Sequence, residues 1–433
     1  MSEHNSHNKK SAILHNKDIR NRLSITILCL IIFGIGSNIP VPGINHQVLN
    51  QVFNGQNSGL FDLFNLFTGG SFQNFTMFAL GVTPYITASI IIQLFTIAFP
   101  YFENLAKEGE TGRKKMATIT RYVAILLALV QAIGLTVGLF RKAVIDKSAI
   151  VFVMIILLLT AGTAFLMWLG EQMTEYGIGN GMSLIIFAGI VARLPVTVRD
   201  IVTKAKDGTL SAVAVMVIIL CMIVIVIGII IVQEGVRKIP VQYAKRVVGR
   251  TTYGGENTHI PMKVNAAGVI PIIFALSILQ FPMTLTYFRP DSKLSEWITK
   301  YLSTSGDPGI WIYMVLNVLL TIAFTFFYTG IVFKPDEIAT NLAQSGGSIP
   351  GVRPGLDTQE YIKKVNSRLT LLSALFLSAV SILPTLVSQF TPVDMTFGGT
   401  SLLILVGVAT ETMKQIEGRM LMTKYRNRGF LFR

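Results

Sequence analysis

Charge is scarce in this chain of 433 residues: 14% is Asp, Glu, Lys or Arg, against 51% hydrophobic residues. Soluble domains carry about a quarter charged residues, so the shortage excludes an ordinary soluble enzyme. Cysteine is scarcer still. Cys29 and Cys221 both lie inside apolar runs, leaving no disulfide framework and no thiolate cage for a metal. His4, His7, His15, His46 and His259 all fall outside those runs, which excludes a histidine metal site at membrane depth. The sequence has no glycine-lysine phosphate loop, paired-histidine zinc motif or kinase-like set. Gly399-Thr400-Ser401 has no histidine base at its depth and makes no nucleophile. The expectation is a polytopic membrane protein with no catalysis and no cofactor. What charge there is leans basic, 37 Lys and Arg against 23 Asp and Glu, for a net +14.

A helix crossing hydrocarbon needs roughly 20 mainly apolar residues, because lipid offers no partner to exposed backbone groups. Ten runs qualify: 23–40, 74–97, 120–140, 149–170, 182–198, 211–232, 267–288, 310–333, 369–389 and 396–413. The fifth is interrupted by Arg193 and Pro195, and the tenth is shortened by Glu411. The residues before the first run are polar and no small-residue cleavage site comes after it, so a removable signal peptide is not expected. Lys and Arg concentrate in the N-tail, the even-numbered loops and the C-tail, which places both termini in the cytoplasm. The expected organisation is a cytoplasmic N-tail (1–22), two five-helix halves (23–205 and 206–413) and a cytoplasmic C-tail (414–433). Two long cytoplasmic loops, 233–266 and 334–368, interrupt the second half. They carry Lys245, Arg246, Arg250 and Arg353 among stiff Gly/Pro turns. Such loops suit docking to an acidic surface or RNA, or simple solvation beside anionic lipid.

One internal match stands out. Gly81-Val82-Thr83-Pro84-Tyr85-Ile86-Thr87-Ala88-Ser89-Ile90-Ile91-Ile92-Gln93 in span 2 aligns with Gly268-Val269-Ile270-Pro271-Ile272-Ile273-Phe274-Ala275-Leu276-Ser277-Ile278-Leu279-Gln280 in span 7, and seven of thirteen positions are identical. Each span is second in a set of five, and an odd set reverses direction. The copies should therefore run antiparallel, as in inverted-repeat transport folds, with a pathway between the halves. The paired prolines are expected to bend their helices, and Gln93 and Gln280 to face protein rather than lipid. Spans 1–4 and 6–9 have no acid or base in their central turns, and Arg193 and Glu411 read as snorkelling near helix ends. The middles of spans 2, 5, 7 and 10 instead offer Val82, Ile86, Met182, Ile186, Ile273 and Ile404. A ring of such residues resists wetting. Between spans 1 and 2, Gly59 to Gly70 holds Leu60, Phe61, Leu63, Phe64, Leu66 and Phe67 at helical spacing between glycines. It is too short to span and reads as a re-entrant or interfacial helix, or as a movable stopper.

These segments together resemble the bacterial SecY family, the channel subunit of the SecYEG translocase. The matching stretches include Asn38-Ile39-Pro40-Val41-Pro42-Gly43, Phe78 to Gln93, Lys107-Glu108-Gly109-Glu110-Thr111-Gly112-Arg113 and Trp168-Leu169-Gly170-Glu171-Gln172. Further along come Gly177-Ile178-Gly179-Asn180-Gly181, Tyr243-Ala244-Lys245-Arg246, Lys263-Val264-Asn265 and Pro350-Gly351-Val352-Arg353-Pro354-Gly355. The resemblance covers residues 15 to 425. It implies an all-α membrane protein of ten transmembrane helices, two inverted five-helix halves and a short plug helix at 59–70. It also implies that Val82, Ile86, Met182, Ile186, Ile273 and Ile404 form the pore ring. A lateral gate would lie between spans 2–3 and 7–8, with Thr87, Gln93, Gln131, Phe274, Ser277 and Phe281. Lys245, Arg246, Arg250 and Arg353 would receive the SecA motor and the ribosome. SecE and SecG subunits, the signal-recognition-particle targeting machinery, signal peptides, unfolded polypeptides and anionic lipids complete the implied partners, in a bacterial plasma membrane. The rival from another class is an inverted-repeat secondary transporter of a small solute, which needs a buried ionisable or unwound polar site. A third, an intramembrane protease, needs a histidine or paired Asp within the spans, and the sequence has neither.

Overall fold

The computed structural model describes residues 17–45, 47–49, 68–141, 143–208, 212–243, 246–248, 251–253, 258–286, 292–302, 308–390 and 399–429. In chain order its helices are α1 (Lys17–Gly36), α2 (Thr83–Ala98), α3 (Pro100–Lys107), α4 (Glu110–Ile133), α5 (Ala149–Tyr176), α6 (Gly181–Lys206) and α7 (Ala212–Glu234). After them come α8 (Ile270–Thr286), α9 (Lys293–Leu302), α10 (Gly309–Val332), α11 (Pro335–Gln344), α12 (Leu356–Phe390) and α13 (Gly399–Gly429). Each of the ten expected spans overlaps a helix among the described residues. Among the described residues seven helical segments are long and apolar enough to cross a membrane, α10 counted with α11. The α2–α3 pair, bent by 100°, makes an eighth, and α8 is a shorter apolar helix.

Two expectations about the repeat need correcting. Span 2 is helical only from Thr83; residues 69–82 form successive turns instead. Pro84 and Pro271 do not bend their helices. Each is the second residue of one, α2 and α8 respectively, where the missing N–H has no intrahelical partner to lose. The paired glycines explain the position. Gly81 has φ +57° and Gly268 φ +65°, so both copies turn through a left-handed glycine and then start a helix. The Asn265 side chain donates to the Gly268 carbonyl at 3.0 Å and braces the second of these turns.

The fifth span is also longer than expected. The Asn180 side chain caps α6, accepting from the N–H groups of Met182 and Ser183 at 3.1 and 3.3 Å, a device worth about 1 kcal/mol. The helix then runs through Pro195 to Lys206. Arg193 therefore sits in mid-helix rather than near an end. It lines a cavity of about 640 Å3 whose wall also includes Ser37, Asn38, Gln73 and Asn74 among apolar residues.

The helices pack in two groups. α1 lies on α5 and α6, α2 on α4, and α5 on both α4 and α6; α7 lies on α13, α8 on α10, and α12 on both α10 and α13. The groups meet where α2 touches α8, where α6 touches α7, and where α13 touches α1 and α6. The turn joining α5 to α6 is tied to both groups. The Ile178 N–H donates to Thr26 Oγ1 of α1 at 3.1 Å, and the Gly179 N–H donates to Gln415 Oε1 of α13 at 3.0 Å.

The long loops are folded, which an all-helical expectation missed. Strands β1 (Val236–Tyr243) and β4 (Thr258–Lys263) pair antiparallel, and β5 (Gly347–Ser348) from the other loop joins β1 on its far edge. Between them, β2 (Arg246–Val248) pairs with β3 (Thr251–Tyr253). Ile239 and Val241 alternate inward along β1 and meet Met262, Leu342, Ile349, Ile362 and Val365 in a separate apolar core. Two loops distant in sequence thus make one platform.

Candidate functional site: an apolar waist beside a helix seam

The six ring candidates converge. Val82, Ile186, Ile273 and Ile404 are buried in one central cluster, and Ile86 and Met182 pack against it. They arrive from five places: the turn before α2, α2 itself, α6, α8 and α13. Val82 and Ile86 lie one helical turn apart, and the Ile86 N–H donates to the Val82 carbonyl at 3.1 Å. Met182 faces partly elsewhere, since a Cβ on Gly170 of α5 would stand 2.7 Å from its sulfur. Ile190, one turn beyond Ile186, is fully buried in the same cluster. Sequence reasoning passed over it. Its i+4 spacing from Ile186 was the available signal.

Beside the waist, α2 meets α8 along a seam. Ile86 and Ile90 of α2 share an apolar cluster with Ile270, Phe274 and Ile278 of α8 and with Phe324, Phe327 and Tyr328 of α10. Phe274 stands edge-on to Phe324 and Tyr328, with ring centroids 5.9 and 6.2 Å apart. The polar gate candidates bond within their own helices. Thr87 donates to the Thr83 carbonyl at 3.0 Å, Ser277 to the Ile273 carbonyl at 2.7 Å, and the Gln93 amide to Ser89 Oγ at 3.3 Å. Among the described residues, the Oε1 of Gln93 and the Nε2 of Gln280 are buried without a hydrogen-bond partner. Gln131 is half-buried on α4, and Phe281 is half-exposed in the C-terminal half of α8. Apolar contact is the bond that crosses the seam in this set, and apolar contact has no direction to break.

Leu60, Phe61, Leu63, Phe64, Leu66 and Phe67 lie outside the described residues. The segment immediately after them is firmly held. Gly69, at φ +64°, is pressed on α6 so closely that a Cβ there would stand 2.6 Å from the Cα of Gly189. Thr68 Oγ1 accepts the Phe72 N–H at 3.2 Å, and Phe72 and Phe75 are buried against Phe140.

Of the docking candidates, Lys245 and Arg250 lie outside the described residues and Arg246 opens β2. Arg353 is exposed on the turn after β5, a turn fixed by the Thr358 hydroxyl donating to the Arg353 carbonyl at 2.8 Å. The pairing of Tyr243 with Gly347 draws the two loops together at this end of the platform. No group of His, Cys, Asp and Glu that could hold a metal occurs among the described residues.

The SecY family model matches residues 76–413. The chain is 46% identical to the protein translocase subunit SecY of Halalkalibacterium halodurans, over 97% of this chain and 99% of that protein. It is 44% identical to the subunit of the same name from Bacillus subtilis, over 97% and 98%. Among solved structures it is similar to one described as a protein conducting channel (TM-score 0.65, 19% identity, 93% of this chain and 92% of that one). It is also similar to Sec61 in a canine ribosome–channel complex from the endoplasmic reticulum (TM-score 0.62, 18% identity, 93% and 92%).

Proposed function

Because the chain belongs to the SecY family, we propose that it is the protein-conducting channel subunit of a bacterial translocase, passing unfolded secretory proteins across the plasma membrane and releasing transmembrane segments sideways into lipid. The observation that carries this reading is the convergence of Val82, Ile86, Ile186, Ile273 and Ile404 on one apolar cluster beside an apolar seam. An apolar waist holds back ions when closed and grips no particular side chain of a passing polypeptide. The seam supplies the sideways exit. A hydrophobic signal helix entering it gains roughly 25 cal/mol per Å2 of apolar surface moved out of water, which can offset the parting of α2 from α8. The segment 59–70 serves as the plug, and its described end, Thr68–Gly70, is held against α6.

The two helix groups are the two inverted halves, both termini being cytoplasmic. The β platform then faces the cytoplasm and receives a SecA-type motor and the ribosome, through Arg353 and the basic residues Lys245, Arg246 and Arg250. SecE and SecG subunits complete the complex. The solute-transporter reading finds no support, since the similar proteins are translocase subunits and channels. Reconstitution tests the proposal. Vesicles holding this chain with its small companion subunits, supplied with motor and ATP, should protect an unfolded precursor from added protease. Failure to do so with active motor present would overturn it.

A further inference from the structure

The short helix α9 has three faces. Ser295, Ile298 and Leu302 lie on one, with Ser295 and Ile298 each 5% exposed. Lys293, Glu296 and Lys300 lie on a second. The third holds Leu294, Trp297 and Tyr301, and it is apolar yet open: Leu294 is 59% and Trp297 57% exposed. An amphipathic helix of a water-soluble protein needs one apolar stripe; a second, uncovered one needs another solvent. The helix packs on both α8 and α10, its spanning neighbours in the chain, at the end of each that is remote from the β platform. At 10 residues it cannot itself cross a bilayer.

We propose that α9 lies in the membrane–water interface, with Leu294, Trp297 and Tyr301 inserted at the boundary of lipid headgroups and acyl chains, and so fixes the depth of the joined ends of α8 and α10. Three observations select lipid rather than another protein. The first turns of α10, on which α9 packs, are likewise apolar and open, with Trp311, Ile312 and Val315 58%, 41% and 64% exposed. Trp311 is the third residue of α10, so two of the chain's three tryptophans stand at this level, the depth such amphipathic rings prefer. Finally, Trp297 packs on Tyr301 with centroids 5.4 Å apart, and Lys300 Nζ stands 5.5 Å from the Tyr301 ring, bringing a cation to the headgroup side of the aromatic pair. The inference concerns α9 alone and stands apart from what passes through the channel.

Fluorescence tests it. The full complex carrying Trp168→Phe and Trp311→Phe, in phospholipid vesicles, leaves Trp297 as its chain's reporter. Lipids brominated near the ester end of the chain should lower its emission about twofold, and deep-brominated lipids less, as for a ring at the interface. A tryptophan moved to the charged face, by Glu296→Trp with Trp297→Phe, should instead be quenched by aqueous iodide. Trp297 indifferent to brominated lipid overturns the proposal, by exposure to water if iodide reaches it and by a protein cover if nothing does. Should the phenylalanine variant lose its helical circular dichroism, a nitroxide on Trp297→Cys in a Cys29→Ser, Cys221→Ser background gives the same decision. Oxygen exceeding nickel chelate in accessibility supports the anchor, and the reverse sinks it.

Discussion

At the scale of single residues, the chain is most exacting where it is smallest or most apolar. Gly69 and Gly189 let two backbones touch, and the left-handed φ of Gly69 adds a second demand. Gly69→Val should therefore cost about 1–3 kcal/mol as overpacking, before backbone strain is added, and lower the melting temperature in mild detergent. Gly70→Ala, at a position with open space around it, should cost less. Ile404, fully buried, poses the opposite case. Ile404→Asn places an amide among hydrocarbon at about 1–3 kcal/mol and weakens the closed waist. Cells carrying it should export precursors with defective signals, and unchanged signal stringency would remove Ile404 from the ring. Such residues are only partly legible in the sequence. Val82 and Ile86 are marked by the repeat, whereas Ile190 is marked only by its i+4 spacing from Ile186, a spacing that any spanning helix repeats many times. Met182, a candidate on the same footing, turns partly toward Gly170.

At the scale of elements, legibility tracks the solvent. Lipid forces an apolar run to become a helix, so spans can be found from hydropathy alone, and even the fifth run continues through Pro195 as one helix. The prolines mislead because composition does not say whether a proline begins a helix or interrupts it; the left-handed glycine before each decides. The platform escapes notice because β1 carries Arg237 and Lys238 just before its two inward residues and Pro240 between them, and so passes for a solvated loop. Two substitutions separate the platform's structure from its surface. Ile239→Asp puts a carboxylate into the platform core and should make residues 236–263 sensitive to limited proteolysis, while the membrane helices keep their circular dichroism. Arg353→Glu should leave the proteolytic pattern unchanged and yet reduce motor-driven export by about tenfold, the loss of one charge-assisted contact of some 1.5 kcal/mol. Normal export by that variant would remove Arg353 from the docking surface.

At the scale of the molecule, the contacts between the two helix groups differ in kind. Along α2–α8 they are greasy and without direction; at the α5–α6 turn the contact is a hydrogen bond with a fixed partner, from the Gly179 N–H to Gln415 Oε1 of α13. Cysteines at Thr87 and Phe274 should both cross-link to an arrested signal peptide, and reaction at neither would move the exit elsewhere. Truncating the tie, by Gln415→Leu, should leave the seam chemically intact but make cross-linking less dependent on how hydrophobic the signal is.

That tie at Gly179 has a mechanical meaning. A body pinned at one corner does not drift apart; it swings, and the travel at its free margin grows with distance from the pin. A modest turn about the α5–α6 corner therefore suffices to part the opposite rim, and releasing the passenger lets the same arc close on itself without searching for its register.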